Sequence, residues 1–222
     1  MIPLRDTQPS NNFPAVTLVI IVINVLVFLF EISLEPHYRN FFIAQHGIVP
    51  DRLELQDLVT SMFLHGGWMH LIGNMWFLWI FGDNVEDVLG HSKYLLFYLL
   101  CGIAAALVHI LLNPFSRIPT VGASGAIAGV MGAYLVRFPR SRILTLIPIF
   151  IFVTTMEIPA AFMLLYWFGL QFLQGIGSIA YSSISGGGVA WFAHIGGFLA
   201  GIGLVFVLRT RERFRYRPDL RW

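Results

Sequence analysis

The chain has 222 residues, of which 57% are hydrophobic and only 12% charged, with a formal charge of +2 and a mean hydropathy of +0.74. A soluble domain carries about 25% charged residues, so the composition excludes an ordinary soluble enzyme and points to a polytopic membrane protein of packed helices. The single cysteine, Cys101, excludes an internal disulfide and is read as a small packing residue within an apolar run.

Residues 1–14 are polar and contain Pro3, Pro9 and Pro14, which disfavour a helix, so they are read as a short N-terminal tail. Residues 15–33 are almost entirely apolar and long enough to cross a bilayer. A secretory signal would have a shorter core and a small-residue cleavage site, so an uncleaved first span is expected. Residues 34–63 mix charges such as Glu35, Arg39 and Asp57 with aromatics such as Tyr38 and Phe41. They are placed in the membrane interface, with a solvated loop as the alternative.

The second span is expected over residues 67–88 and the third over 94–112, closed by Asn113 and Pro114. Residues 124–136 form a fourth apolar helix, too short to cross alone, which requires shielding by protein or a water-filled cavity. A basic break follows at Arg137, Arg140 and Arg142. Residues 143–152 are apolar but interrupted by Pro148 and are read as interfacial, with the fifth span over residues 159–173. Residues 175–188, rich in Gly and Ser, are read as a mobile loop. Residues 189–208 make the sixth span, before a tail holding six arginines.

The expected fold is therefore all-α: a polytopic bundle of six transmembrane helices with a short central helix. Residues 15–208 form one membrane domain between cytoplasmic tails at 1–14 and 209–222. Lys and Arg concentrate on the side that holds both termini, the pattern of a cytoplasmic face. The arginine tail is read as a topology signal or an anionic-lipid anchor in preference to a nucleic-acid site. A prokaryotic inner membrane is expected because the chain is compact and lacks a targeting extension.

With this topology the spans that begin near Gly67, Ser124 and Val189 all run from outside to inside. His70, Asn74, Ser124 and His194 then lie at one level, in the outward halves of their helices. Polar side chains at membrane depth are costly unless they pair or face water, and an ionisable one is a functional-site hypothesis by default. A serine hydroxyl becomes a nucleophile when an imidazole takes its proton, so Ser124 and His194 form a candidate dyad. Ser124 shares a helix face with Ala128 and Gly132, and His194 shares one with Gly197 and Gly201. Faces so stripped of bulk let membrane helices approach closely, as Gly125-x-x-x-Gly129 and Gly197-x-x-x-Gly201 also suggest.

His70 and Asn74, four residues apart, could donate to an oxyanion formed at Ser124, joined by the backbone N–H groups of Ala123 and Ser124 at the helix N-terminus. No acidic third member is evident, so His194 is expected to be oriented by packing. His65 and His109 are read as structural. Neither a His-Glu-x-x-His pattern nor a cysteine cluster is present, and no cofactor or metal is expected. Glu86 and Asp87 are expected to cap or pair at the cytoplasmic end of the second span.

Four segments together resemble the rhomboid family of intramembrane serine proteases. They are His65-Gly66-Gly67-Trp68-Met69-His70-Leu71-Ile72-Gly73-Asn74, Phe81-Gly82-Asp83-Asn84-Val85-Glu86, Gly122-Ala123-Ser124-Gly125-Ala126 and Ala193-His194-Ile195-Gly196-Gly197. The resemblance covers residues 55–205 in the right order. It implies six helices around a water-filled cavity, with Ser124 as nucleophile, His194 as base, and His70 and Asn74 as the oxyanion-stabilising pair. It also implies that the fifth span and the loop before the sixth gate substrate entry. One departure is Ala128, where some relatives carry a tyrosine that stacks on the base. The activity implied is hydrolysis of peptide bonds in or near transmembrane segments of membrane-protein substrates. The alternative is a catalytically inactive rhomboid-like scaffold that binds transmembrane helices.

Overall fold

The computed structural model describes residues 2–149, 152–181 and 190–208. A short strand β1 (Ile2–Asp6) precedes helix α1 (Ala15–Ser33), which starts directly after Pro14. Helix α2 (Pro36–His46) has proline at its first position, where the missing N–H costs nothing. A short helix α3 (Asp57–Thr60) and flanking 3₁₀ turns complete the connection to α4 (Trp68–Leu89). Gly90, at φ 77°, ends α4 and begins α5 (His91–Leu112), a reversal that the left-handed region makes possible without a longer loop. Helix α6 (Ser124–Arg137) is followed by strands β2 (Arg142–Ile149) and β3 (Phe152–Pro159), then α7 (Ala160–Tyr181) and α8 (Trp191–Val207).

Helix α6 is the centre of the bundle. Every residue from Gly125 to Tyr134 is buried, and α4, α5 and α8 pack around it. Its contact with α8 is made by glycines: a Cβ on Gly197 would meet the Gly125 carbonyl oxygen, and one on Gly132 would meet the Phe198 carbonyl oxygen. The α6 residues that approach α8 are thus Gly125, Gly129 and Gly132, of which the expected Ser124, Ala128 and Gly132 face contained only the last. Cys101 of α5 is fully buried, its Cβ and Sγ each 2.5 Å from where a Cβ on Gly129 would stand. The packing reading of this cysteine holds.

The exterior is apolar. Val19, Val22, Leu26 and Leu29 of α1, Leu107 and Leu111 of α5, and Phe162 and Leu165 of α7 are all exposed. Exposed apolar residues in such number on three helices are unusual for a protein in water and suit lipid contact. By length and apolarity alone, α1 and α5 are the helices that pass as membrane spans among the described residues. In α2 no residue is buried, and Tyr38 and Phe41 project outward.

Three expectations need correction. The all-α class misses a three-stranded antiparallel sheet in the order β1-β2-β3. Residues of the expected N-terminal tail pair with β2, Ile2 opposite Leu146 and Asp6 opposite Ile143, and a register shift lies between Pro3 and Arg5. The segment read as interfacial is a hairpin with Arg142 opposite Pro159 and Ile149 opposite Phe152. Its β-branched composition suits a pleated surface, and Pro148 and Pro159 forbid a helix interior. Finally, α7 continues through Gly175 to Tyr181, so the first half of the expected mobile loop is helical. The rest of that loop, to Gly188, and the basic tail from Arg209 lie outside the described residues.

Candidate active site

Ser124 is the first residue of α6, and the backbone turns into that helix through Gly122 and Ala123. Gly122 has φ 127°, a conformation that strains other residues, and its N–H donates to the Ser61 carbonyl at 2.9 Å. A Cβ there would stand 2.7 Å from His70 Nε2 and 2.8 Å from Cε1. The glycine therefore lets the turn lie flat against the imidazole of His70. At the start of a helix the first N–H groups have no intrahelical acceptor, and the helix dipole adds positive potential there.

His194 enters from the first turn of α8 and is 8% exposed. Its Nε2 lies 2.7 Å from Ser124 Oγ, and its Nδ1 lies 2.7 Å from Gln171 Oε1 on α7. Two tryptophans frame the ring: Trp167, with centroids 5.9 Å apart, and Trp191, edge-to-face at 6.2 Å. The small residue Ala128 is fully buried in α6, so the ring contact with the base is made from α7 and α8 instead.

His70 and Asn74 lie one turn apart on α4, at the wall opposite α8. The Gly66 N–H points at His70 Nδ1 at 3.4 Å. That contact uses Nδ1 as acceptor and leaves the proton on Nε2, the atom facing Gly122. Asn74 Nδ2 donates to His65 Nε2 at 2.9 Å, and the His65 N–H donates to Glu31 Oε1 at 3.1 Å. The second Asn74 amide hydrogen remains for the cavity. His109 is held by Thr120 Oγ1 at 2.9 Å.

These groups meet in one cavity of about 700 Å³, lined by His70, Asn74, Gly122, Ser124 and His194, with Ala123 buried between two lining residues. All five residues singled out from sequence thus converge. The arrangement offers a hydroxyl hydrogen-bonded to an imidazole in a cavity that His70 and Asn74 also line. Among the described residues no three metal-capable side chains cluster.

Sequence reasoning missed Gln171, Trp167 and the contact of the His65 ring with Asn74. One signal was available for two of them: Gln171 is one of only two amides in an otherwise apolar helix, the other being Gln174, and Trp167 precedes it by one turn on the same face. At the other end of α4, Glu86 accepts from the Val16 and Thr17 N–H groups at 2.8 Å each and from Thr17 Oγ1 at 2.7 Å, and Asp87 accepts from Asn11 and Asn12. Of the expectation that this acidic pair would cap or pair, Glu86 does the first, at the start of α1, and Asp87 the second, with Asn11 and Asn12.

An apolar exterior around a helical bundle that holds a hydrogen-bonded hydroxyl, imidazole and amide inside it defines a helical integral membrane protein. The comparisons carry the class further. The family model described as Rhomboid domain matches residues 52–211, so the chain belongs to the rhomboid family. It is 35% identical over 155 residues to Rhomboid-like protein 11, chloroplastic, of Arabidopsis thaliana, covering 68% of this chain and 52% of that one. It is 34% identical over 188 residues to RHOMBOID-like protein 6, mitochondrial, of the same plant, covering 79% and 55%. With Rhomboid protease GluP of Bacillus subtilis it shares 34% identity over 138 residues, covering 59% and 27%. The chain spans about half the length of the first two relatives and about a quarter of the third.

Proposed function

We propose that this chain is an intramembrane serine protease that hydrolyses peptide bonds in or near the transmembrane segments of other membrane proteins. The observation that carries the reading is the 2.7 Å contact between Ser124 Oγ and His194 Nε2 inside the cavity. His194 takes the Ser124 proton as Oγ attacks the scissile carbonyl carbon. The tetrahedral oxyanion accepts hydrogen bonds from His70 Nε2–H, Asn74 Nδ2–H and the backbone N–H of Ala123 or Ser124. The imidazolium returns its proton to the leaving amine, the C–N bond breaks, and an ester on Ser124 remains. Water, activated by the same imidazole, releases the acid. Each oxyanion donor contributes roughly 3 kcal/mol to lowering the barrier.

In this reading α1, α4, α5, α6, α7 and α8 are the six membrane helices of a domain over residues 15–208, with both termini cytoplasmic. The tails 1–14 and 209–222 flank it. Peptide bonds inside a helix are shielded, so substrates carry helix-weakening or small residues near the cleaved bond. The chloroplastic and mitochondrial relatives lend a prokaryotic inner membrane no support, and the proposal rests at a multi-pass membrane protein without naming the membrane. An inactive scaffold would have no use for a serine and histidine held in hydrogen-bond contact.

The test is cleavage of a reporter transmembrane substrate in detergent micelles. Wild type is expected to release a soluble fragment, and Ser124→Ala and His194→Ala are each expected to abolish it. Undiminished cleavage by either variant refutes the dyad.

A further inference from the structure

The geometry points to Gln171 as a positioning residue that selects the reactive tautomer of His194, in the place where an acidic third member was sought and not found. The inference rests on the protease reading and names a third member of its machinery.

A neutral imidazole carries one ring proton, and the nitrogen without it is the one that can act as base. His194 Nε2 faces Ser124 Oγ at 2.7 Å and Nδ1 faces Gln171 Oε1 at 2.7 Å. A carboxamide oxygen has no hydrogen to give, so the Nδ1 contact requires Nδ1–H to donate. Nε2 is then left with its lone pair toward the serine hydroxyl, as proton abstraction demands. The alternative tautomer would set a lone pair against the Gln171 oxygen and a proton against Oγ. Gln171 itself is 7% exposed, whereas the other amide of α7, Gln174, is exposed; a buried amide left unpaired would be costly. Trp167, one turn earlier on the same helix, packs against the same ring. One face of α7 therefore sets both the tilt of the imidazole and the location of its proton.

An amide also differs from a carboxylate in what it asks of the bilayer. It accepts the same hydrogen bond without placing a second ionisable group at membrane depth, where charge is expensive. Nδ1–H stays fixed throughout the reaction, while Nε2 alone gains and loses the transferred proton.

The test uses the whole chain in detergent micelles, selectively labelled with ¹⁵N-histidine, and a fluorophosphonate probe that forms a P–O bond to Ser124 Oγ with loss of fluoride. The His194 ring resonances, assigned by their absence in His194→Ala, are expected to report Nδ1–H in the wild type. In Gln171→Leu they should shift towards the other tautomer, with the maximal labelling rate down about tenfold to hundredfold and half-saturating probe concentration unchanged within about twofold. Gln171→Glu, which keeps an oxygen acceptor, should recover most of the rate. A wild-type His194 found with its proton on Nε2 overturns the proposal without any variant, even if Gln171→Leu does not fold. So does a Gln171→Leu chain that labels at the wild-type rate. Loss of the Nδ1–H tautomer in Gln171→Leu, together with a wild type that never labels, supports the Gln171 contact and refutes the protease reading.

Discussion

Gly201 of α8 faces Gly129 of α6 so closely that a methyl group on Gly201 would overlap the Gly129 carbonyl oxygen. Four residues earlier, Gly197 meets the Gly125 carbonyl in the same way. This seam runs directly beneath the Ser124–His194 pair, so the distance between α6 and α8 is also the distance between hydroxyl and imidazole. Gly201→Ala must push the helices apart or distort one of them, and overpacking of this kind costs about 1–3 kcal/mol. Fluorophosphonate labelling of Ser124 is expected to fall sharply in Gly201→Ala while helical content is kept. Gly203, which has open space around its α-carbon, supplies the control: Gly203→Ala should label like wild type. Equal labelling by both variants would mean that the seam does not set the site.

Asn74 and His65 act in series on the proposed oxyanion wall. Asn74→Leu removes a donor and should lower the turnover number by roughly a hundredfold with little change in KM. His65→Leu leaves the Asn74 amide present but unanchored, because its Nδ2 loses the acceptor at 2.9 Å. A smaller loss, about tenfold, is expected there. Steady-state cleavage kinetics on one reporter substrate measure both. A His65→Leu loss as large as that of Asn74→Leu would show His65 to be more than an anchor.

Glu86 closes the start of α1 from a distance of some 70 residues in sequence, accepting two backbone N–H groups and a hydroxyl from Val16 and Thr17, with His91 Nδ1 at 2.6 Å. Glu86→Ala strands those donors in a buried setting, at a cost of about 1–3 kcal/mol. The thermal midpoint in detergent should drop. Residues 70 and 86 of α4 are about 24 Å apart at the helical rise, so labelling of Ser124 well below that midpoint should be unaffected. Lost labelling in a folded sample would contradict the purely structural role.

Asp6 accepts a hydrogen bond from the Tyr134 hydroxyl at 2.5 Å where β1 crosses the end of α6. Burial pushes its carboxyl above the usual value of 3.8, and the tyrosine hydrogen bond only partly offsets this. A carboxyl whose folded-state value is raised contributes stability in its protonated form: fully present below the unfolded value, lost as pH rises through the folded one. Asp6→Asn keeps a neutral acceptor for Tyr134 and removes the charge. Its thermal midpoint should exceed that of wild type at pH 7.5, and the gap should close on acidification towards pH 4. A gap that widens on acidification would reverse the sign of this argument.

Much of the bundle is legible in the residues because the bilayer imposes simple rules. The expected first span coincides with α1 over Ala15–Ser33, and the second differs from α4 by a single residue at each end. Apolar runs bounded by Pro14 and Gly90 leave little freedom in register. The central helix was legible from its small residues and its shortness. The sheet was not. Strand β1 has five residues, one of them proline, and its partner lies about 140 positions away, so nothing local distinguishes it from a tail. The hairpin of β2 and β3 did carry a local signal, its β-branched run, but the apolar setting made an interfacial segment an equally good fit.

By itself the sequence determined that this is a membrane protein of the rhomboid family and which hydroxyl, imidazoles and amide to watch, since cost at membrane depth singles out polar side chains wherever they stand. Only the tertiary structure decided that α7 brings Gln171 and Trp167 to His194, and that His65 stands behind Asn74. Those partners are ordinary residues on separate elements, and their meaning comes from hydrogen-bond distance, which spacing along one chain does not encode.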